Sequence, residues 1–228
     1  ELAALGDTAG AAETLGAALP LTRSLHYPRA ELAVLTRLAE ASAALGRTPD
    51  VVAHRTAALP LARTLGDDAV VRDQALALAD AQMDAGRAGD AVAAWEEALP
   101  ALHRLGDVDG KGAVLSRLAD ATLAMGQVSA ALHYRSASLA QARETGNAAQ
   151  VRHAALGLAI LHESLGETEE ATRCYTEALS LTRSLGDTPS EMSVLLALAE
   201  LDRDARKYDE SLSRYEEALP LSIALEDA

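Results

Sequence analysis

The apolar residues of this chain follow a pattern that returns every 40 residues. Each period holds two stretches rich in alanine and leucine, which are strong helix formers, and each stretch ends at a short turn. One kind of turn is marked by Leu45-Gly46, Ala85-Gly86, Met125-Gly126 and Leu165-Gly166, and the other by Leu65-Gly66-Asp67, Leu105-Gly106-Asp107, Thr145-Gly146-Asn147 and Leu185-Gly186-Asp187. A fixed period of this length predicts a solenoid built from helical hairpins.

The pattern predicts an all-α protein of about 11 helices, in which short connections force neighbouring helices to lie antiparallel. First helices are expected at 29–45, 68–85, 108–125, 148–165 and 188–205, and second helices at 48–65, 88–105, 128–145, 168–185 and 208–225. Residues 1–6 are expected to end a first helix, followed by a separate second helix from Asp7 to Leu25.

These elements define one array over residues 1–228, with a partial repeat at 1–27 and full repeats at 28–67, 68–107, 108–147, 148–187 and 188–227. A solenoid needs polar terminal caps, and neither end of the sequence has one. We therefore expect the chain to be a piece of a longer protein.

Both turns have local causes in the sequence. The glycines that end the first helices suit a left-handed backbone, and Arg206 takes that place in the last repeat, where we expect strain or a different turn. The polar residue after the other glycine can cap the next helix. Prolines also recur at one phase of the second helices, at Pro20, Pro60, Pro100 and Pro220. They predict a kink that follows the superhelix, and a regulatory hinge is the alternative.

The side chains at fixed phases resemble the tetratricopeptide repeat. A leucine-alanine pair stands eight residues before the first turn glycine, as in Leu78-Ala79 and Leu118-Ala119. After that glycine come a small residue, then a large one such as Trp95 or Tyr175, then a small one such as Ala98. The length of the repeat resembles LGN-type and kinesin-light-chain-type arrays and the tetratricopeptide tails of bacterial multidomain regulators. The sequence departs from the family at Arg55 and Arg135, which stand at the large position.

The composition of the chain narrows the range of partners and locations that we expect. The net charge of −14 opposes direct binding to nucleic acid and to anionic membranes. Solubility of a helical surface explains such a charge, and attraction of a basic partner is the alternative. Cys174 is the sole cysteine and is predicted to pack in the core. No apolar run or signal peptide points to a membrane, so we expect a cytoplasmic protein.

Catalytic motifs are nearly absent. Residues 106–112 have the wrong spacing for a phosphate loop and lack the later ligands of a calcium loop. The six histidines include no pair four residues apart, which argues against a zinc site. We expect no enzymatic activity, no cofactor and no metal ion.

The resemblance implies a right-handed α-solenoid whose first helices line a concave groove. Counting from the leucine-alanine pairs predicts that this groove carries a row of carboxylates, interrupted at Ile160. The candidate partner-binding residues are Arg37, Glu40, Asp80, Met83, Asp84, Arg117, Asp120, Leu123, His153, Ile160, Glu163, Glu200, Arg203 and Asp204. A basic segment would relieve the repulsion between these carboxylates, and local pairing of Arg37 with Glu40 and Arg117 with Asp120 is the alternative.

The leading hypothesis is therefore a protein-interaction module that grips a peptide, a helix or a neighbouring domain of the same chain, of basic character, in its acidic groove. In the last case it would be the sensor or scaffold region of a bacterial regulator. The alternative is a receptor for a small signalling peptide that controls a transcription regulator.

Overall fold

The computed structural model describes the backbone of residues 2–226 and the side chains of residues 7–225. The described residues form eleven α-helices and no strand. The helices are α1 (Leu2–Ser24), α2 (Pro28–Ala44), α3 (Thr48–Leu65), α4 (Asp68–Asp84), α5 (Ala88–Leu105), α6 (Val108–Ala124), α7 (Val128–Thr145), α8 (Ala148–Ser164), α9 (Thr168–Leu185), α10 (Thr188–Asp204) and α11 (Tyr208–Glu226). From α2 onward every predicted helix is found within one residue of its expected bounds, so the all-α repeat is confirmed.

The predicted break near Gly6 is wrong. The helix α1 runs without interruption from Leu2 to Ser24 and passes through Gly6 and Asp7. Continuing a helix through a single glycine costs only about 1 kcal/mol, so Gly6 does not have to end it.

The turns take the conformations that their residues favour. The glycines at both kinds of turn have positive φ, from 65° at Gly106 to 73° at Gly126. Arg206 adopts the same left-handed backbone with φ of 60°, which confirms the strain expected there, and His26 does so with φ of 55°. An L-residue with a side chain is disfavoured in this region because its Cβ crowds the following carbonyl.

The polar residues of the second turn cap the helices that follow. The Asp67 carboxylate accepts hydrogen bonds from the backbone N–H groups of Ala69 and Val70, and Asp187 accepts one from Ser190 at 3.1 Å. Asp107 caps α6 in the same way, through Gly110 N–H at 2.9 Å. The stretch from Gly106 to Gly112 is therefore the capped start of a helix.

Each hairpin is closed by small residues and leucine. The side chains of Leu118, Ala119, Leu198 and Ala199 are no more than 1% exposed, and the alanine at the small position, such as Ala98, is fully buried. Small side chains allow the two helices of a hairpin to approach closely, while leucine fills the space between them. Helices α3 and α5 continue through Pro60 and Pro100, and the kink remains a prediction.

The chain divides into two compact units, one ending at Gln127 and the other beginning at Val128. The first unit holds α1 to α6, and the second holds α7 to α11. Within the second unit, Arg143 of α7 pairs with Glu177 of α9 at 2.6 Å, and Arg183 of α9 pairs with Glu217 of α11 at 2.5 Å. These ion pairs join successive second helices. Across the described residues, no helix is long and apolar enough to cross a membrane.

Candidate functional site

The large position of each second helix projects toward the first helices. In the first unit, Arg55 of α3 donates a 3.0 Å hydrogen bond to Gln74 of α4. In the second unit, Arg135 of α7 lies over Gly157 of α8, where an added Cβ would be 2.9 Å from its Cζ. The same phase holds Trp95 and Tyr175, and each of these aromatic rings lines a cleft between two first helices.

The first cleft lies in the first unit, and we call it the α4–α6 cleft. It has a volume of about 520 Å³, and most of its lining is apolar. The lining residues are Asp80, Met83 and Asp84 from α4, Trp95 from α5, and Arg117, Asp120, Ala121 and Ala124 from α6. Five of the candidate partner-binding residues therefore meet here: Asp80, Met83, Asp84, Arg117 and Asp120.

The electrostatics of the α4–α6 cleft are negative for two reasons. Three carboxylates and one guanidinium line it, which leaves a net charge of −2. Asp84 and Ala124 are also the last residues of α4 and α6, and the carboxyl end of a helix carries a partial negative charge. A cation is therefore favoured in this cleft.

Arg117 supplies the one positive charge of the lining. Its Nη1 donates a 2.6 Å hydrogen bond to Oδ1 of Asp80, and both side chains are more than half exposed. The pair joins α6 to α4 across the mouth of the cleft. An ion pair so exposed contributes only about 0.2–1 kcal/mol.

Trp95 is buried at the base of the α4–α6 cleft. Its side chain is 3% exposed, and its Nε1–H has no hydrogen-bond acceptor among the described residues. A buried donor without an acceptor costs about 1–3 kcal/mol. A bound molecule that brings an acceptor to this N–H would recover part of that cost.

The second cleft lies in the second unit, and we call it the α8–α10 cleft. It has a volume of about 320 Å³, and no carboxylate lines it. Ile160 is 58% exposed at this cleft, and Tyr175 is buried beneath it. The lining residues are Leu156, Ile160, Tyr175, Pro189, Ser190, Ser193, Val194 and Ala197.

Tyr175 is held by Glu163. The hydroxyl donates a 2.6 Å hydrogen bond to Oε2 of Glu163. Burial, and then this hydrogen bond, raise the pKa of Tyr175 well above its usual value. The phenol therefore stays protonated at neutral pH, and its contribution to the α8–α10 cleft is an uncharged ring.

The other candidate residues line neither cleft, and all of them are exposed except Glu163, which is partly buried. Glu40 of α2 is close enough to Arg55 to offset part of the pKa decrease that burial imposes on Arg55. Arg203 donates a 3.2 Å hydrogen bond to the carboxylate of Asp204. This hydrogen bond, with a smaller contribution from the charge of Glu200, raises the pKa of Arg203. The residues outside both lining sets are Arg37, Glu40, Leu123, His153, Glu163, Glu200, Arg203 and Asp204.

Counting along the first helices alone misses the bases of both clefts. Trp95 and Tyr175 stand on second helices, and their large size at a core phase points to packing. The signal that could have found them is the mixed chemistry of that position, which holds arginine in two repeats and an aromatic residue in three. A phase that served packing alone would not need guanidinium groups.

A family model described as "Tetratricopeptide repeat" matches residues 111–184 and 150–224, which together span half of the chain. The chain belongs to the tetratricopeptide repeat family. In the terms of that family, the clefts lie between consecutive first helices of the repeats, and the large position of the second helix forms the base of each cleft.

Several solved structures share this fold. BtubC (BKLC) from P. vanneervenii has 19% sequence identity and a TM-score of 0.63, covering 99% of this chain and 93% of that chain. A putative kinesin light chain with nearly identical TPR-like repeats, from Podosopora anserina, has 18% identity and a TM-score of 0.61, covering 86% and 97%. At such identities the likeness concerns the fold alone. No curated protein matches the sequence.

A third similar structure belongs to a larger protein. It is the Signal Transduction ATPase with Numerous Domains (STAND) protein PH0952 from Pyrococcus horikoshii, which has a tetratricopeptide repeat sensor. The sequence identity is 14% and the TM-score is 0.58, covering 86% of this chain and 38% of that chain.

Proposed function

We propose that this tetratricopeptide repeat chain is a non-catalytic interaction module that holds a basic peptide, helix or neighbouring domain against its first helices. The α4–α6 cleft is the observation that carries the proposal. It combines an apolar lining, a net charge of −2 and two helix carboxyl ends in one concavity of about 520 Å³.

The charge of the whole chain supports a basic partner. At −14, the chain attracts cationic segments over a distance of about 8–10 Å at physiological salt, and this attraction speeds their encounter. The α8–α10 cleft adds an uncharged, largely apolar contact of its own. A partner that presents both cations and apolar side chains therefore fits the chemistry of these faces better than an acidic one.

The finer assignment is that the array is the sensor or scaffold region of a bacterial regulator in the cytoplasm. One observation supports the sensor role: the fold likeness to a STAND protein with a tetratricopeptide repeat sensor. The alternative to a sensor or scaffold region is a receptor for a small signalling peptide, which would bind in the same clefts.

Calorimetric titration of the purified chain tests the proposal. The probes are synthetic peptides of equal length that are rich in arginine, lysine, glutamate or leucine. We expect the basic peptides to bind, and the Asp80→Lys/Asp120→Lys double variant to lose at least about tenfold in affinity with nearly unchanged helicity. Charge reversal at exposed positions outside the cleft, Glu13→Lys/Asp50→Lys, is the matched control.

Two results would overturn the proposal: an equal loss in the control variant, or failure of the arginine-rich and lysine-rich peptides to bind. The length of the peptide that binds most tightly distinguishes a signalling-peptide receptor from a scaffold. A short peptide that binds as tightly as a long one favours a signalling-peptide receptor, whereas affinity that grows with length favours a scaffold for a segment or domain.

A further inference from the structure

We propose that the α4–α6 cleft receives an arginine side chain of the partner, with the guanidinium held between the carboxylates of the two cleft walls. The inference rests on the proposed function, because it names the chemical group that this part of the first-helix face recognises.

The position of Asp84 favours a cation. Asp84 is the last residue of α4, where the helix dipole opposes a carboxylate, and it has no hydrogen-bond or ion-pair partner among the described residues. Ala124 ends α6 at the same cleft, so a second helix end adds to the negative potential. A bound cation would offset both the repulsion between Asp84 and the end of α4 and the negative potential at the end of α6.

The distribution of carboxylates favours arginine over lysine. Asp80 and Asp84 stand on the α4 wall, and Asp120 stands on the α6 wall. A guanidinium presents five N–H donors in a planar fork, so it can reach acceptors on two walls at once, whereas an ammonium is a compact point charge.

The protein already holds one guanidinium here. The side chain of Arg117 reaches from α6 to Asp80 on the opposite wall and donates a 2.6 Å hydrogen bond. A carboxylate of the α4 wall therefore already accepts a hydrogen bond from a guanidinium of the α6 wall.

The apolar part of the cleft suits the rest of an arginine residue. Met83, Ala121 and Ala124 line the walls where the three methylene groups of the side chain would pass. The Nε1–H of Trp95 lacks an acceptor, and a backbone carbonyl of the bound segment could supply one after a small shift of the lining. A free cation without a peptide backbone would leave that donor unpaired.

Trp95 is the only tryptophan of the chain, so its fluorescence reports on this cleft directly. The probe is an acetylated, amidated nonapeptide of alternating alanine and arginine, titrated into the full 228-residue chain. The comparison peptides replace every arginine by lysine or by citrulline, which keeps the shape of arginine without its charge. Calorimetry runs in parallel and reports binding anywhere on the chain.

We expect the arginine peptide to change the emission of Trp95, the citrulline peptide to leave it unchanged, and the lysine peptide to bind more weakly. The Asp84→Asn/Asp120→Asn double variant should weaken the arginine peptide by about tenfold or more. The control Asp50→Asn removes one exposed carboxylate of the same unit outside the cleft and should change affinity by less than about twofold.

The outcomes separate the two proposals. Calorimetric binding with silent Trp95 emission, or with equal affinity in the double variant, overturns the cleft assignment and leaves the proposed function standing. Equal binding of lysine and arginine peptides overturns the arginine preference. Absence of calorimetric binding by both the arginine and the lysine peptide overturns the arginine site and the basic partner of the proposed function together.

Discussion

Arg117 and Asp80 are 37 residues apart in sequence, and their side chains meet at 2.6 Å across the mouth of the α4–α6 cleft. The pair connects consecutive first helices, so it belongs to the packing of one repeat on the next. It also places the single cation of the cleft lining against one of its three carboxylates. Arg117 therefore competes with any cationic group that approaches Asp80 from solvent.

Removing the charge of Arg117 should improve binding of cations. In the Arg117→Gln variant, the charge of the cleft lining falls from −2 to −3, and Asp80 becomes available to the ligand. We expect the alternating arginine peptide to bind about threefold to tenfold more tightly, while the free energy of unfolding changes by no more than about 1 kcal/mol. Titration of Trp95 fluorescence and urea unfolding measure the two quantities.

Arg87→Gln is the matched control for that variant. Arg87 pairs with Asp90 at 2.6 Å, and the pair is exposed to a similar degree but lies outside the cleft lining. It should change peptide affinity by less than about twofold. Weaker binding by Arg117→Gln than by the parent chain would show that Arg117 contacts the ligand and does not compete with it.

The backbone at Arg206 offers a stabilising substitution. Arg206 has φ of 60° at the turn between α10 and α11, where the preceding repeats place glycine. We expect Arg206→Gly to raise the free energy of unfolding by about 0.5–1 kcal/mol, because glycine adopts this conformation without a Cβ clash. Thermal unfolding followed by circular dichroism measures the change.

Two companion variants isolate the backbone effect. Arg206→Ala removes the same charge but keeps a Cβ, so it should not stabilise the protein. Gly166→Ala should destabilise the protein by about 1 kcal/mol, because Gly166 has a φ of 72°. An added Cβ would meet no other atom within 4 Å, so this variant measures backbone strain without a steric clash against neighbouring side chains. If Arg206→Ala stabilises as much as Arg206→Gly, charge and not backbone strain is the cause.

Asp187 should make stability depend on pH. Its hydrogen bonds with Arg152 and with the side chain and backbone N–H of Ser190 hold the pKa of this carboxyl below its ordinary value. A carboxyl with a lowered folded-state pKa stabilises the protein above its unfolded pKa of about 3.9, and this stabilisation is lost as pH falls through the folded-state value. The effect should therefore be complete at neutral pH and fade below about pH 4.

A double-mutant cycle with Asp187→Asn and Arg152→Gln measures this contribution. Asparagine should still cap α10, because Asn147 caps α8 through Ala149 and Gln150 in the same way. The coupling free energy from urea unfolding should be favourable at pH 7 and should decrease as pH falls below about 4. A coupling that stays constant over this range would contradict the ionic origin of the interaction.

The helices were predictable because every local signal agreed with the 40-residue period. The glycine at 166 and the cap at Asp187 fix where a helix ends and the next begins, independent of tertiary packing. Gly6-Asp7 carries the same residue pair as the later turns, yet α1 continues through it. A helix can pass through one glycine at a cost of about 1 kcal/mol, so this residue pair alone does not fix a helix end.

The site was predictable only in part, because it depends on which side chains meet across repeats. Five of the residues counted from the leucine-alanine pairs, namely Asp80, Met83, Asp84, Arg117 and Asp120, line one cleft, and their role in binding stays a prediction. The spacing of residues along one helix did not suggest the ion pair that joins Arg117 to Asp80 of the preceding repeat. A separation of 37 residues is invisible to helical periodicity, which relates only neighbours on the same helix.

Burial of Leu118 predicts where a charge will unfold the repeat. Its side chain is fully buried, whereas Leu123 on the same helix is 42% exposed. We expect Leu118→Asp to destabilise the first unit by at least about 3 kcal/mol, because it removes core contacts and buries a carboxylate without a partner. Leu123→Asp makes the same chemical change where water can solvate the carboxylate, so it should cost less than about 1 kcal/mol. Urea unfolding that shows equal losses in the two variants would contradict the burial of the leucine-alanine phase, on which the placement of the α4–α6 cleft depends.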